Sequence, residues 1–315
     1  MVKNGHIQEV SFVPPPAALA GVEVVGIGEL RDRMLRFGGA EGALDAAGAG
    51  RPQRPGFHLL LTVEEGVLWH MVDFTDYALG PGTWLWVRPG QVQRFGDLGA
   101  ASGTVVLFQS DVVDAATSAE LHLDDPFGRT SWQVADDAAL PLALGHLAHE
   151  YASASLPAHV RVAVLQRLLA VLLLRLATPA GTVTAEHTDT FQRFRAAVER
   201  DFARIRDVGH YARVLGYAPR TLTRATQEAA GVGAKQFIDR RIVLEAKRLL
   251  AHGDDPVAGI AARLGFADVS NFVKFFAQRA EVTPTAFRGR FRAGDIRAQE
   301  AASVATPGRV GAPVT

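Results

Sequence analysis

Two stretches, VGHYARVLGYA at 208–218 and VAGIAARLGFA at 257–267, decide how this chain is read. Laid over each other, Val, Ala, Leu, Gly, an aromatic residue and Ala recur at an offset of 49. One extra residue enters the second copy after the turn and the offset becomes 50, so that Arg224 meets Lys274 and GVGAKQF at 231–237 meets EVTPTAF at 281–287. A repeat of about fifty residues that holds a helix, a tight turn and a second helix is a duplicated helix-turn-helix.

Each repeated position has a physical reason. Ala212 and Ala261 are small because two helices cross closely there. Gly216 and Gly265 stand just past a helix end, where a left-handed backbone is needed. Asp255 and Pro256 read as N-cap and first helical residue, and Asp268 as the next N-cap. Phe272, Phe275 and Phe276 fall at i, i+3 and i+4, which predicts one buried face and leaves Ser270, Asn271 and Lys274 outside, with Val269 opening the helix. In the first copy Leu222 and Ala225 face inward, and Arg220, Thr221, Thr223, Arg224 and Gln227 are the candidate outward readers. Arg, Lys, Asn and Gln suit the base edges and phosphates of double-stranded DNA.

Charge agrees with that assignment. From 188 to 292 there are 19 basic and 11 acidic residues, a net +8, whereas 1–187 has 12 and 20, a net −8. A basic C-terminal domain beside an acidic N-terminal one points to nucleic acid for the first and a different task for the second. The chain has 315 residues, 48% hydrophobic and 21% charged, enough for two packed domains. It contains no cysteine, which excludes disulfides, thiolate nucleophiles and cysteine zinc sites. Met1 to Pro16 shows no basic segment followed by an apolar core, and the apolar stretch from Val160 to Ala177 is broken by Arg161, Gln166, Arg167 and Arg175. No membrane segment and a cytoplasmic location are therefore expected.

Outward from the repeat, residues 1–135 have the period of strands. The runs 57–63, 67–74 and 83–87 are separated by Glu64-Glu65-Gly66, by a turn within 77–82 and by Pro89-Gly90, a pattern expected of an antiparallel sandwich or barrel. LGPGTWLWVRPGQVQ at 79–93 resembles the cupin-like jelly roll. Metal-binding cupins hold their ion with three His and a carboxylate, and that set is missing: leucines follow His58, and Gln93 stands at the place of the last ligand. No metal and no cofactor are expected. A barrel able to enclose a small ligand remains, with Arg51, Arg54, His58, His70, Trp84, Trp86 and Gln93 as candidate contacts. A filled core explains the same histidines and tryptophans equally well.

Two helices follow within 136–178, the first from Ala138 to Tyr151 with Leu140, Leu142, Leu144 and Leu147 on its apolar face. The second, Ala158 to Ala177, carries Val160, Val164, Leu165, Leu168, Leu169, Leu172, Leu173 and Leu176, a stripe wider than a lone surface helix needs. It is read both as packing on the barrel and, through the six leucines, as a dimerisation face. Residues 179–187 read as a linker, 188–292 as the helical domain, and 293–315 as a disordered tail. The fold class is thus α+β with two domains, a cupin-like β jelly roll with a helical pair and an all-α domain with two helix-turn-helix units.

The segment 191–292, with IVLEAKRLL at 242–250, IAARLGFAD at 260–268, NFVKFF at 271–276 and TPTAFR at 283–288, resembles the DNA-binding domain of the AraC/XylS family of regulators. The jelly roll and helical pair resemble that family's companion domain. The resemblance implies a transcriptional regulator in which each recognition helix, about 220–229 and 268–279, enters a major groove, while a helix near 235–251 joins the units. It further implies an effector in the barrel, a homodimer, and RNA polymerase as a further partner. Three positions depart from the family: Thr226 replaces an aromatic residue, Val269 replaces a polar one, and Glu281 stands where Gly is frequent. Two other readings stay open here. One is a cupin-type enzyme fused to a DNA-binding module. The other is a regulator controlled by a protein partner without a small ligand.

Overall fold

The structure, a computed structural model, describes residues 8–10, 21–37, 52–125, 128–134, 138–153, 155–177 and 185–292. Contacts divide the chain into two compact units, Ile7–Thr182 and, from Val183 onward, a helical one. The tail read at 293–315 and Arg51 lie outside the described residues.

The first unit begins with β1 (Gln8–Val10), β2 (Val22–Gly26) and helix α1 (Ile27–Phe37). Strands β3 (Gln53–Pro55), β4 (His58–Gly66), β5 (Leu68–Val72), β6 (Thr75–Leu79), β7 (Thr83–Val87), β8 (Gln93–Phe95) and β9 (Ala101–Phe108) follow. After them come α2 (Ala115–Leu121), β10 (Ser131–Gln133), α3 (Ala139–Ala152) and α4 (Ala158–Ala177). The strands form two five-stranded sheets, ordered β1-β3-β8-β5-β6 and β10-β7-β4-β9-β2, antiparallel apart from the β1–β3 pair. The double-sheet jelly roll is as expected, with one local difference. The turn expected within 77–82 lies at Gly80–Gly82, where the Thr83 amide donates to the Gly80 carbonyl at 3.0 Å. The chain also reverses earlier, at the end of the run read at 67–74, on Asp73 and Phe74, both left-handed at φ 49° and 68°. Neither is glycine, so no compositional signal marked this turn. The Asp73 carboxylate holds it by accepting from Gln91 Nε2 at 2.8 Å and the Val92 amide at 3.1 Å.

Strand alternation sorts the second sheet into two buried faces. Leu59, Leu61, Leu85 and Val87 point between the sheets and join Leu68, Val72 and Phe95 in one core. Leu60, Trp84 and Trp86 point the other way and join Trp132 of β10 and Leu140, Leu144 and Leu147 of α3. A sheet covered on both sides reads as a continuous apolar run rather than an alternating one, which explains LLL at 59–61 and TWLWV at 83–87.

The helical pair corrects two expectations. Leu142 is 73% exposed, so the apolar face of α3 consists of Leu140, Leu144 and Leu147. On α4, Leu165, Leu169, Leu172, Leu173 and Leu176 are at most 2% exposed and Leu168 packs against the same core. These leucines cover the chain's own sheet, which removes them from a subunit interface; the outer side of α4 carries Val160 and Val171 instead.

The second unit has α5 (Ala185–Asp201), α6 (Val208–Leu215), α7 (Pro219–Ala230), α8 (Ala234–His252), α9 (Val257–Arg263), α10 (Val269–Ala280) and α11 (Pro284–Arg292). α5 therefore takes in residues 185–187, which composition had assigned to the linker. Asp207 caps α6 through the amides of Gly209 and His210, and Asp268 caps α10 through that of Ser270. α9 starts one residue later than expected: Pro256 is itself the N-cap, and Asp255 pairs with Arg263 at 3.2 Å instead of capping.

Leu169→Glu together with Leu173→Glu is expected to abolish cooperative unfolding of the first unit, and Leu169→Ala to cost about 2–5 kcal/mol. Val171→Glu, on the outer side, should stay within about 0.5 kcal/mol of wild type. Urea unfolding followed by tryptophan fluorescence decides this; tolerance of the double glutamate variant would contradict the buried placement.

Candidate functional site

In both helix-turn-helix units the second helix is buried on one side and open on the other. α7 buries Leu222, Ala225 and Thr226, the last donating its hydroxyl to the Leu222 carbonyl at 2.7 Å. That internal bond is how a buried threonine is tolerated where the family carries an aromatic ring. Arg220, Thr223, Arg224 and Gln227 are exposed and border a shallow hollow with Pro219 and Glu228, while Thr221 is half-buried. α10 buries Phe272 and Phe276 against Ile260, Ala261, Leu264 and Leu250, and leaves Ser270, Asn271 and Lys274 exposed and Val269 39% exposed. Phe275, expected inside, is only half-buried.

α8 joins the units and is tied to both. Arg241 holds Glu199 of α5 at 2.8 Å, and Asp239 holds Arg279 of α10 at 2.7 Å. The C-cap residues show why Glu281 departs from pattern at a cost. Gly231 ends α7 in the left-handed region at φ 68°, and Glu281 ends α10 in the same region at φ 57°. A side chain there is strained.

The barrel candidates divide. His58, Trp84 and Trp86 lie on the sheet face beneath α3 and α4, not inside the barrel. His58 is fully buried and stacked on Phe108 at 4.6 Å. Its Nδ1 accepts from Trp86 Nε1 at 3.2 Å, so the proton sits on Nε2, which lies 3.1 Å from both Ser110 Oγ and Asp124 Oδ1. Burial lowers its pKa, opposed by Asp124; the hydrogen bond from His58 holds the Asp124 carboxyl below its usual range. A hydrolytic triad needs serine and acid on opposite ring nitrogens. Here they share one, and it is protonated, so His58 cannot take a proton from Ser110. The cluster instead pins the segment after β9 to the sheet.

His70 and Gln93 face the space between the sheets, on the same sides of their strands as Leu68, Val72 and Phe95. His70 is 1% exposed, edge-on to Phe95 at 4.6 Å, and neither ring nitrogen has a hydrogen-bond partner. Burial drives its pKa down to about 3 against the pull of nearby Gln93, so the ring is neutral. Gln93 Oε1 is also buried without a partner, while Nε2 donates to Gln53 at 3.4 Å. Arg54 is committed to the Gly90 carbonyl at 3.0 Å. Sequence reasoning missed Ser110 and Asp124, which carry no motif and reach His58 only through the fold. Among the described residues no cluster of three or more His, Asp or Glu could hold a metal ion, and no helix is long and apolar enough to cross a membrane.

A jelly roll with a buried polar pair, followed by a paired helix-turn-helix with two open recognition helices, defines a two-domain DNA-binding regulator. Residues 43–170 match the AraC-like ligand binding domain, and 211–290 match a helix-turn-helix domain. The chain belongs to the AraC/XylS family of transcriptional regulators. The regulatory protein PocR of Salmonella typhimurium is 33% identical over 88 residues, 28% of this chain and 28% of PocR. The transcriptional activator RhaS of Salmonella paratyphi A is 24% identical over 238 residues, covering 74% of this chain and 85% of RhaS. Among solved structures, ToxT of Vibrio cholerae matches 75% of this chain and 90% of its own at 12% identity, with a TM-score of 0.39.

Two measurements check these assignments. Glu281→Gly is expected to stabilise the helical unit by about 1 kcal/mol, read as a rise in its denaturation midpoint; a loss would show that the glutamate makes up for its backbone. For His70, the unfolded ring takes up a proton below its ordinary pKa of 6.5 while the folded ring refuses it down to about 3. Stability is therefore full above 6.5 and falls as pH drops through that window. Against His70→Leu, the wild type should lose roughly 1 kcal/mol more per pH unit there; parallel profiles would mean that His70 is solvated.

Proposed function

We propose that the chain is an effector-controlled, sequence-specific transcription factor acting as a cytoplasmic homodimer, with RNA polymerase as a downstream partner and no enzymatic activity. The observation that carries the reading is the matched pair of exposed rows, Arg220, Thr223, Arg224 and Gln227 on α7 and Val269, Ser270, Asn271 and Lys274 on α10. Each row suits a major groove, with Thr221 at the margin of the first. α8 has 19 residues and spans about 28 Å, close to the roughly 34 Å between successive major grooves on one face of DNA.

Arg224 and Lys274 occupy equivalent positions and divide the work. The arginine fork pairs with guanine, whereas lysine is a point charge for phosphate. Asn271 carries much of the base reading in the second unit, and Val269 meets a thymine methyl. In the barrel, His70 and Gln93 are the contacts of an uncharged effector. A neutral imidazole and an amide oxygen, both buried and unpartnered, are suited to a hydroxyl or amide donor rather than to an anion. His58, Trp84 and Trp86 have no part in that contact, being committed to the core under the helical pair.

Selection of duplexes from a random library by the full chain, repeated with each variant, tests the reading. Arg224→Ala should cost about 1–3 kcal/mol and relax preference at one or two base pairs. Lys274→Ala should weaken all duplexes alike and reduce the salt slope by about one. An unchanged motif for Arg224→Ala with an eroded one for Lys274→Ala reverses the assignment.

A further inference from the structure

The duplicated units are not equivalent at their turns. In the first, a Cβ built on Gly216 meets nothing within 4 Å, so that glycine answers only to its φ of 73°. In the second, a Cβ on Gly265 would lie 2.0 Å from the Ala203 carbonyl oxygen. The turn of the second unit is thus packed directly on the loop that joins α5 to α6, the loop leading into the first unit. From that same loop comes Arg206. Its guanidinium donates to the Leu264 carbonyl at the end of α9, lies 3.4 Å from the centroid of the Phe266 ring, and faces Phe275 of α10 at 6.0 Å. Arg279 covers Phe275 at 4.0 Å and is anchored by Asp239 of α8. Phe275, the half-buried ring on the second recognition helix, therefore has two guanidiniums near it, one from the α5–α6 loop and one from its own helix. Among the described residues no carboxylate pairs with Arg206, and burial lowers its pKa. Its charge is spent on two ring faces and a carbonyl, an arrangement that a planar fork satisfies and a flexible ammonium does not.

We infer that Arg206 is a positioning residue for DNA recognition: by clamping the α9–α10 turn and Phe275 to the α5–α6 loop, it sets the spacing and angle between the two recognition helices. It reads no base itself. Two helices on a rigid frame reward the one half-site spacing that suits both, and a looser frame rewards several spacings more evenly. Arg206 therefore acts on discrimination between spacings.

The test uses the full chain and a duplex selected by the wild type from a random library. Derived duplexes have one base pair added or removed between the two halves, or have one half scrambled. Affinities are measured well below the unfolding midpoint, which is recorded for each variant. Arg206→Ala is expected to bind the selected duplex about tenfold more weakly. It should bind the half-scrambled duplex like wild type and lose most of its preference for the selected spacing over the altered ones. Arg206→Lys, which keeps the charge, should not restore that preference. Equal weakening on every duplex, restoration by lysine, or spacing preference left intact in Arg206→Ala would each overturn the inference.

Discussion

The constraint on which the first unit depends is the double coverage of one sheet. Because β4 and β7 alternate strictly, Leu59, Leu61, Leu85 and Val87 must face the other sheet while Leu60, Trp84 and Trp86 face α3 and α4. A slip of one residue would carry both tryptophans into the barrel and both sets of aliphatic side chains out of it. Everything else in the unit follows: the leucine stripe of α4 is consumed by the sheet, and His58 is held where no interior ligand reaches it. His70 and Gln93 are left as the polar pair between the sheets.

The same economy governs the second unit. A duplicated motif brings duplicated caps, but not duplicated surroundings. Gly216 and Gly265 share a left-handed backbone, yet only Gly265 touches another segment. Gly231 and Glu281 share a conformation that suits only the glycine. One copy is free to serve as a simple turn, whereas the other has become the place where the two copies dock, with Arg206, Phe266 and Phe275 as the joint.

The two units also treat charge in opposite ways. In the first unit burial keeps His70 neutral between the sheets, and on the other face of the second sheet Trp86 fixes the tautomer of His58. The helical unit instead displays basic and amide side chains on the open faces of α7 and α10. It uses two of its arginines, Arg241 and Arg279, as internal struts to Glu199 and Asp239. Positive charge in this unit thus has two destinations, one structural and one facing outward.

The sequence by itself determined the duplicated helix-turn-helix, its caps at Asp268 and the turn glycines, and the exposed rows on α7 and α10. These are local: a helix places residues three and four apart on one face whatever surrounds it. The strands of the runs 57–63, 67–74 and 83–87 were legible from their apolar patches, whereas α1, α2 and the shorter strands of the first unit were not. Only the tertiary structure decided which face of a strand meets which partner, because a period of two says that side chains alternate and not what covers each side. It therefore separated His70 and Gln93 from His58, Trp84 and Trp86, and turned the α4 leucines inward. It brought Ser110 and Asp124 to one imidazole, and laid Arg206 across a turn 58 residues away, contacts that no spacing along the chain encodes.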